Sequence, residues 1–172
     1  MRGMRLSLTP HPDFPSAAVD SIAVEMTRAD VLTLHYVVSG RIDRILLPAL
    51  SAPARTDELW KHTCFEAFLR PAPGEAYVEF NFSPSTQWAA YRFAGYRRDM
   101  QIAADVPAPR IKTSAGADRY ELRASVLVPL AARARLGLSA VIEEREGSKS
   151  YWALAHPPGK PDFHHPESFL SL

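Results

Sequence analysis

The chain has 172 residues, 47% of them hydrophobic, which suffices to bury one core but not to build two independent domains of ordinary size. Lys and Arg number 20 against 19 Asp and Glu, a formal net charge of +1 with the signs interspersed, so no basic stripe is available to hold a nucleic-acid backbone. The single cysteine, Cys64, excludes an intramolecular disulfide framework and a thiolate metal cluster.

The N-terminal stretch MRGMRLSLTPHPDFP starts with basic residues, but Ser, Thr, Pro, His and Asp break up its apolar positions, so it lacks the apolar region of a signal peptide. Nowhere does the sequence approach the run of about 18 apolar residues that spans a bilayer. The expectation is a soluble, cytoplasmic protein without a membrane partner. Residues 21–27 (SIAVEMT) and 31–40 (VLTLHYVVSG) alternate with a period near two, and the short RAD between them predicts a hairpin. RIDRILLP, ending at Pro48, and CFEAFLRP, ending at Pro71, read as further strands, and PAPGE turns the chain into AYVEFNFS. In YELRASVLVP, residues Tyr120, Leu122, Ala124, Val126 and Val128 share one side.

PLAARARLG, residues 129–137, is the one helical candidate, with proline at its start and Gly137 at its end. SAVIEEREGSKSYWALAH predicts a last hairpin around Gly147 and Ser148, followed by a proline-rich ending. The proline-rich stretches 104–110 and 157–166 read as ordered loops rather than linkers. Frequent short strands with little helix predict a single all-β domain over residues 1–172, a β-sandwich or barrel with at most one short helix.

The central hairpin carries the functional signal. Alternation puts Phe65, Ala67 and Leu69 on one face and Cys64, Glu66 and Phe68 on the other; likewise Ala76, Val78, Phe80 and Phe82 oppose Tyr77, Glu79, Asn81 and Ser83. With the apolar faces together, every antiparallel register sets Glu66 across from Tyr77, Glu79 or Asn81. The third run, QWAAYRF, with Ala89, Tyr91 and Phe93 inward, would bring Trp88 and Arg92 beside that cluster. The opposite phase would bury Trp88 and, at a cost, an unpaired Arg92. Carboxylates, a carboxamide, a guanidinium and an indole suit a sugar, whose hydroxyls need donors and acceptors and whose C–H face packs on an aromatic ring. A plain solvated sheet face carries similar residue types.

The runs ELWKHTCFEAFLRP, YVEFNFSPSTQWAAYRF and YWALAHPPGKPDFHHPESF together resemble DOMON-like domains related to family 9 carbohydrate-binding modules, in particular the single-domain bacterial group described as MurB-like. The resemblance covers most of the chain. It implies an antiparallel β-sandwich that binds sugar or haem, with Glu66, Asn81, Trp88 and Arg92 as matching residue types and Trp152 as a second aromatic.

Other constellations are less specific. His156, Asp162, His164 and His165 are metal-ligand types, but neighbouring histidines on an extended segment point apart, so a C-terminal loop that packs Phe163 and Phe169 and uses Asp162 and His164 to bond its own backbone is the simpler role, and no metal is expected. A haem axial pair drawn from Met100 with His35, His62 or His156 has no selecting motif. Glu66 and Glu79 could serve a glycosidase, which needs its carboxyls about 5 or about 6.5–9.5 Å apart in a walled cleft. Cys64 and His62 lack a third orienting group. The sequence thus points to a non-catalytic domain that needs no cofactor and binds a carbohydrate or sugar-containing metabolite through Glu66, Tyr77, Glu79, Asn81, Trp88, Arg92 and Trp152.

Overall fold

The structure, a computed structural model, describes residues 3–128 and 133–172. These form strands β1 (Met4–Pro10), β2 (Val19–Arg28), β3 (Leu32–Gly40), β4 (Cys64–Pro71), β5 (Tyr77–Phe82), β6 (Trp88–Phe93), β7 (Gln101–Ile102), β8 (Arg110–Ala115), β9 (Arg119–Val126), β10 (Ala134–Glu143), β11 (Lys149–Ala153) and β12 (Leu170–Ser171). One layer runs β8-β9-β3-β2-β1 and the other β7-β6-β5-β4-β10-β11, with β12 also on β10. β1 joins the layers: residues 4–8 pair with β2, and Thr9 and Pro10 pair with β11. All ladders between these strands are antiparallel, and the result is a β-sandwich.

Period-two alternation makes the core. Ile22, Val24 and Met26 of β2, Leu34, Tyr36 and Val38 of β3, and Leu122, Ala124 and Val126 of β9 meet Phe65, Ala67, Phe80, Phe82, Leu136, Leu138 and Ala140 from the other layer. Tyr36 spans the interior: its ring lies 5.0 Å from that of Phe65, and its hydroxyl donates to the Glu66 carbonyl at 2.7 Å. The bond satisfies a buried phenol and ties β4 to the opposite layer.

Two predicted elements differ. Of the helix expected over 129–137, residues 129–132 lie outside the described residues, and 134–137 belong to β10. There Ala134, Leu136, Leu138, Ala140 and Ile142 keep strand periodicity against the core, and pairing with β4 outweighs the few tenths of a kcal/mol per residue that favour helix. Gly137 is no helix cap; a Cβ there would lie 2.6 Å from the Phe169 ring and 3.2 Å from Phe68 Cβ. RIDRILLP is likewise no strand. Ile42–Arg44 makes a 3-10 turn that buries Ile42 and Ile45, three apart, and only Ile45 bridges to Glu144. The hairpin at Gly147 forms as expected; its φ of 99° suits glycine, and its N–H donates to Glu144 O.

Candidate functional site

The outward face of the second layer forms the floor of a cleft. Register sets Glu66 of β4 between Ser139 of β10 and Asn81 of β5, while Glu79 lies between Phe68 and Tyr91. The two glutamates are therefore diagonal neighbours, not a directly facing pair. Both are buried, 3% and 5% exposed, because segments outside the sheet rise around them. Trp60 and Lys61 come from the 3-10 turn Leu59–Lys61, Arg97 and Met100 from the loop between β6 and β7, and Pro161, Phe163 and His164 from the C-terminal loop. Val141, Lys149, Tyr151 and Phe93 complete a cavity of about 540 Å³, within the usual range of small-molecule sites.

Hydrogen bonds fix the floor to the walls. Ser139 Oγ donates to Glu66 Oε2 at 3.3 Å, and in the amide orientation that satisfies its neighbours Asn81 donates to Glu79 Oε1 at 3.0 Å. Arg97 N–H donates to the Tyr77 hydroxyl at 3.2 Å, so the Tyr77 proton is free to go to His164 Nδ1, 2.7 Å away. That assigns the His164 proton to Nε2, which faces Glu79 Oε2 at 3.6 Å. The C-terminal wall is held again at Asp162, which accepts from Arg97 Nη2 at 2.8 Å, from the Tyr96 hydroxyl and from His164 N–H at 3.2 Å. Tyr77 stacks on Phe93 at 4.8 Å, and His164 sets its ring edge against Phe68 and Phe93, 5.0 Å from each.

Burial dominates the proton affinities. It pushes Glu66 well above the carboxylate range, with the charge of Glu79 adding to the rise and Ser139 and Arg97 opposing it. Glu79 rises to about 7, again chiefly by burial, against its bond to Asn81 and the charge of Arg97. His164 falls to about 4 through burial and then Arg97, so its ring is neutral at neutral pH. A Glu66 carboxyl held above its usual range, Glu79 raised to about 7 and a neutral imidazole offer both donors and acceptors in one cleft.

Of the seven residues expected at the site, Glu66, Tyr77, Glu79 and Asn81 come together on this floor. Trp88, Arg92 and Trp152 do not, and the stacking role expected of Trp88 is corrected. β6 takes the other phase: Ala89, Tyr91 and Phe93 face the cleft side, while Trp88 and Ala90 enter the core, where Trp88 is 9% exposed. This phase leaves no unpaired Arg92 in the core, because β6 lies near the sheet edge; Arg92 reaches solvent and pairs with Asp105 at 2.5 Å. Trp152 is also in the core, its indole N–H donating to Ser150 Oγ at 2.9 Å.

The aromatic residues that do line the cavity, Trp60, Tyr151, Phe93 and Phe163, were not assigned to it by sequence reasoning. For Tyr151 the signal was present: once Trp152 belongs to the core, its neighbour on β11 must face outward. Trp60 sits on a wall whose position no periodicity gives. The tail histidines separate as their spacing predicts: His156 Nε2 donates to Thr9 O at 2.7 Å, and His165 accepts from Glu167 N–H while His164 joins the cleft. His35 bonds Glu121 at 2.6 Å on the outside of the first layer, whereas Met100 lines the cleft outside the second, so those two cannot share one iron.

No family model matches the chain, and no curated protein matches it in sequence. Solved structures do match in shape. A candidate carbohydrate-binding protein from Bacteroides uniformis superposes with a TM-score of 0.70 at 15% identity, over 99% of this chain and 85% of that one. A family 9 carbohydrate-binding module from Caldicellulosiruptor kristjanssonii, in complex with glucose, gives 0.54 at 14% identity over 91% and 76%. At such identities the likeness is one of fold, and the expected relationship to family 9 modules holds at that level.

Proposed function

We propose that the protein is a DOMON-like module that binds a carbohydrate or sugar-containing metabolite in this cleft without transforming it. The observation that carries the reading is the floor itself: Glu66, Glu79 and Asn81, buried yet lining or bordering an aromatic-walled cavity of about 540 Å³. Buried polar groups at an open cavity are explained by a ligand that satisfies them. Sugar hydroxyls both donate and accept, matching a floor that sets two carboxyls beside a carboxamide. Trp60 and Tyr151, rather than the core residue Trp88, supply the apolar surface. The glucose complex of the family 9 module shows that a protein of this fold holds such a ligand.

Tryptophan fluorescence titrated with mono- and disaccharides tests this, with Trp60→Ala as control. A saturable shift lost in the control supports it; a flat response from every sugar, checked by calorimetry, removes it.

A second reading, glycoside hydrolysis, is favoured by one observation: two glutamates, Glu66 and Glu79, line the same walled cleft, the pair of residue types that such chemistry uses. Release of a chromophore from aryl glycosides, abolished by Glu66→Gln or Glu79→Gln, would establish it.

A further inference from the structure

The cations lining the cleft are each bonded to groups other than the floor glutamates, which feel Arg97 only through its charge at longer range. Lys61 Nζ is held by Glu58 at 2.8 Å, Arg97 by Asp162 at 2.8 Å, and Lys149 Nζ donates to the carbonyl of Lys61. Among the described residues, the Glu66 carboxyl receives only the Ser139 hydroxyl, and Glu79 receives the Asn81 amide and faces the uncharged His164 ring. Among the described residues, no lysine or arginine comes within ion-pair distance of either glutamate.

Two nine-tenths-buried carboxyls lining one cavity with no ion pair to any of its cations are unusual, because an ionised buried carboxylate is stable only when paired. The fold has cations nearby but keeps each on another partner. Neutral hydroxyls can bond to such carboxyls but cannot discharge them. A primary ammonium supplies three donors and the missing charge at once. Phe93 lines the same cavity as the two glutamates and adds an aromatic wall beside them.

We propose, resting on the sugar-binding reading, that the preferred ligand is a cationic amino sugar whose ammonium sits between Glu66 and Glu79. Its hydroxyls then reach the outer part of the cleft, and its C–H face meets the aromatic walls.

Isothermal titration of the full chain near pH 7 with glucosamine, glucose and N-acetylglucosamine tests the charge directly, since the three differ at one carbon. Glucosamine is expected to bind at least about tenfold more tightly than glucose, as suits a charge-assisted contact, and acetylation is expected to abolish that gain. Glu66→Gln and Glu79→Gln, each shown folded by circular dichroism, are expected to bring the glucosamine-to-glucose ratio toward one. Glucose binding as tightly as glucosamine, or acetylation without effect, overturns the inference and leaves the sugar-binding reading in place. Binding of none of the three overturns both. Because the ligand comparison uses the unaltered protein, it decides the matter even if a variant fails to fold.

Discussion

The Tyr77 hydroxyl and His164 Nδ1 lie 2.7 Å apart, across a sequence separation of 87 residues, and join the floor of the cleft to its C-terminal wall. Tyr77→Phe removes that bond together with the acceptor for the Arg97 N–H. A half-buried ring nitrogen then loses its partner, at a cost of at most about 1–3 kcal/mol. The expected outcome is a lowered thermal midpoint and a several-fold weaker ligand, read by calorimetry on the same sample. A wild-type midpoint would show that the bond does not hold the wall.

Glu79 and His164 should shape stability in opposite senses. Glu79 holds its proton to about 7, whereas in the unfolded chain it releases it near 4.5. As pH rises through that window the unfolded state gives up a proton that the folded state keeps, so this group makes folding less favourable. His164 stays neutral down to about 4, against 6.5 unfolded, so its contribution is lost as pH falls through that interval. Relative to wild type, Glu79→Gln should therefore gain stability as pH rises from about 4.5 to about 7, and His164→Gln should gain as pH falls from about 6.5 to about 4. Thermal unfolding across pH checks both; curves parallel to wild type would contradict them.

The tryptophans should separate cleanly. Trp88→Ala empties a core position and should cost about 3–5 kcal/mol. Trp60, 37% exposed and touching Tyr91 only edge-on at 6.0 Å, should tolerate alanine with little loss of stability and a marked loss of affinity. Denaturant melts beside ligand titrations would reveal the reverse pattern if the assignment were wrong.

Gly137→Ala probes how the tail docks. The added methyl would meet Phe169 at 2.6 Å and 2.7 Å, a clash relieved only by moving that ring. Overpacking of this kind costs about 1–3 kcal/mol. Since Phe169 stacks on Phe68 at 5.8 Å, beside His164, proteolysis of the C-terminal segment should accelerate. Unchanged protection would show the segment held from elsewhere.

The sandwich and half of the site were legible because strand alternation is a local rule. Glu66, Tyr77, Glu79 and Asn81 follow from it without knowledge of any neighbour. What failed depended on distant context. The phase of β6 turned on whether Arg92 could leave the core, and that depends on the sheet edge and on Asp105 in a loop beyond β7. Residues 134–137 have helical composition but lie against β4, a partner some 65 positions earlier, with Leu136 opposite Leu69. Trp60, Arg97 and His164 belong to irregular segments, where no period exists to read.

The double duty of β4 and β5 also decides where this protein can change. Each strand spells two interleaved texts, one for the interior and one for the ligand, and a single inserted or deleted residue would exchange them along the rest of the strand. Point substitutions are therefore the only route by which the floor can drift. The turn around Trp60, the loop bearing Arg97 and the tail carrying His164 obey no such frame. Lengthening or trimming them would reshape the mouth while the sandwich stays intact, so diversification of specificity should appear first as differences in loop length.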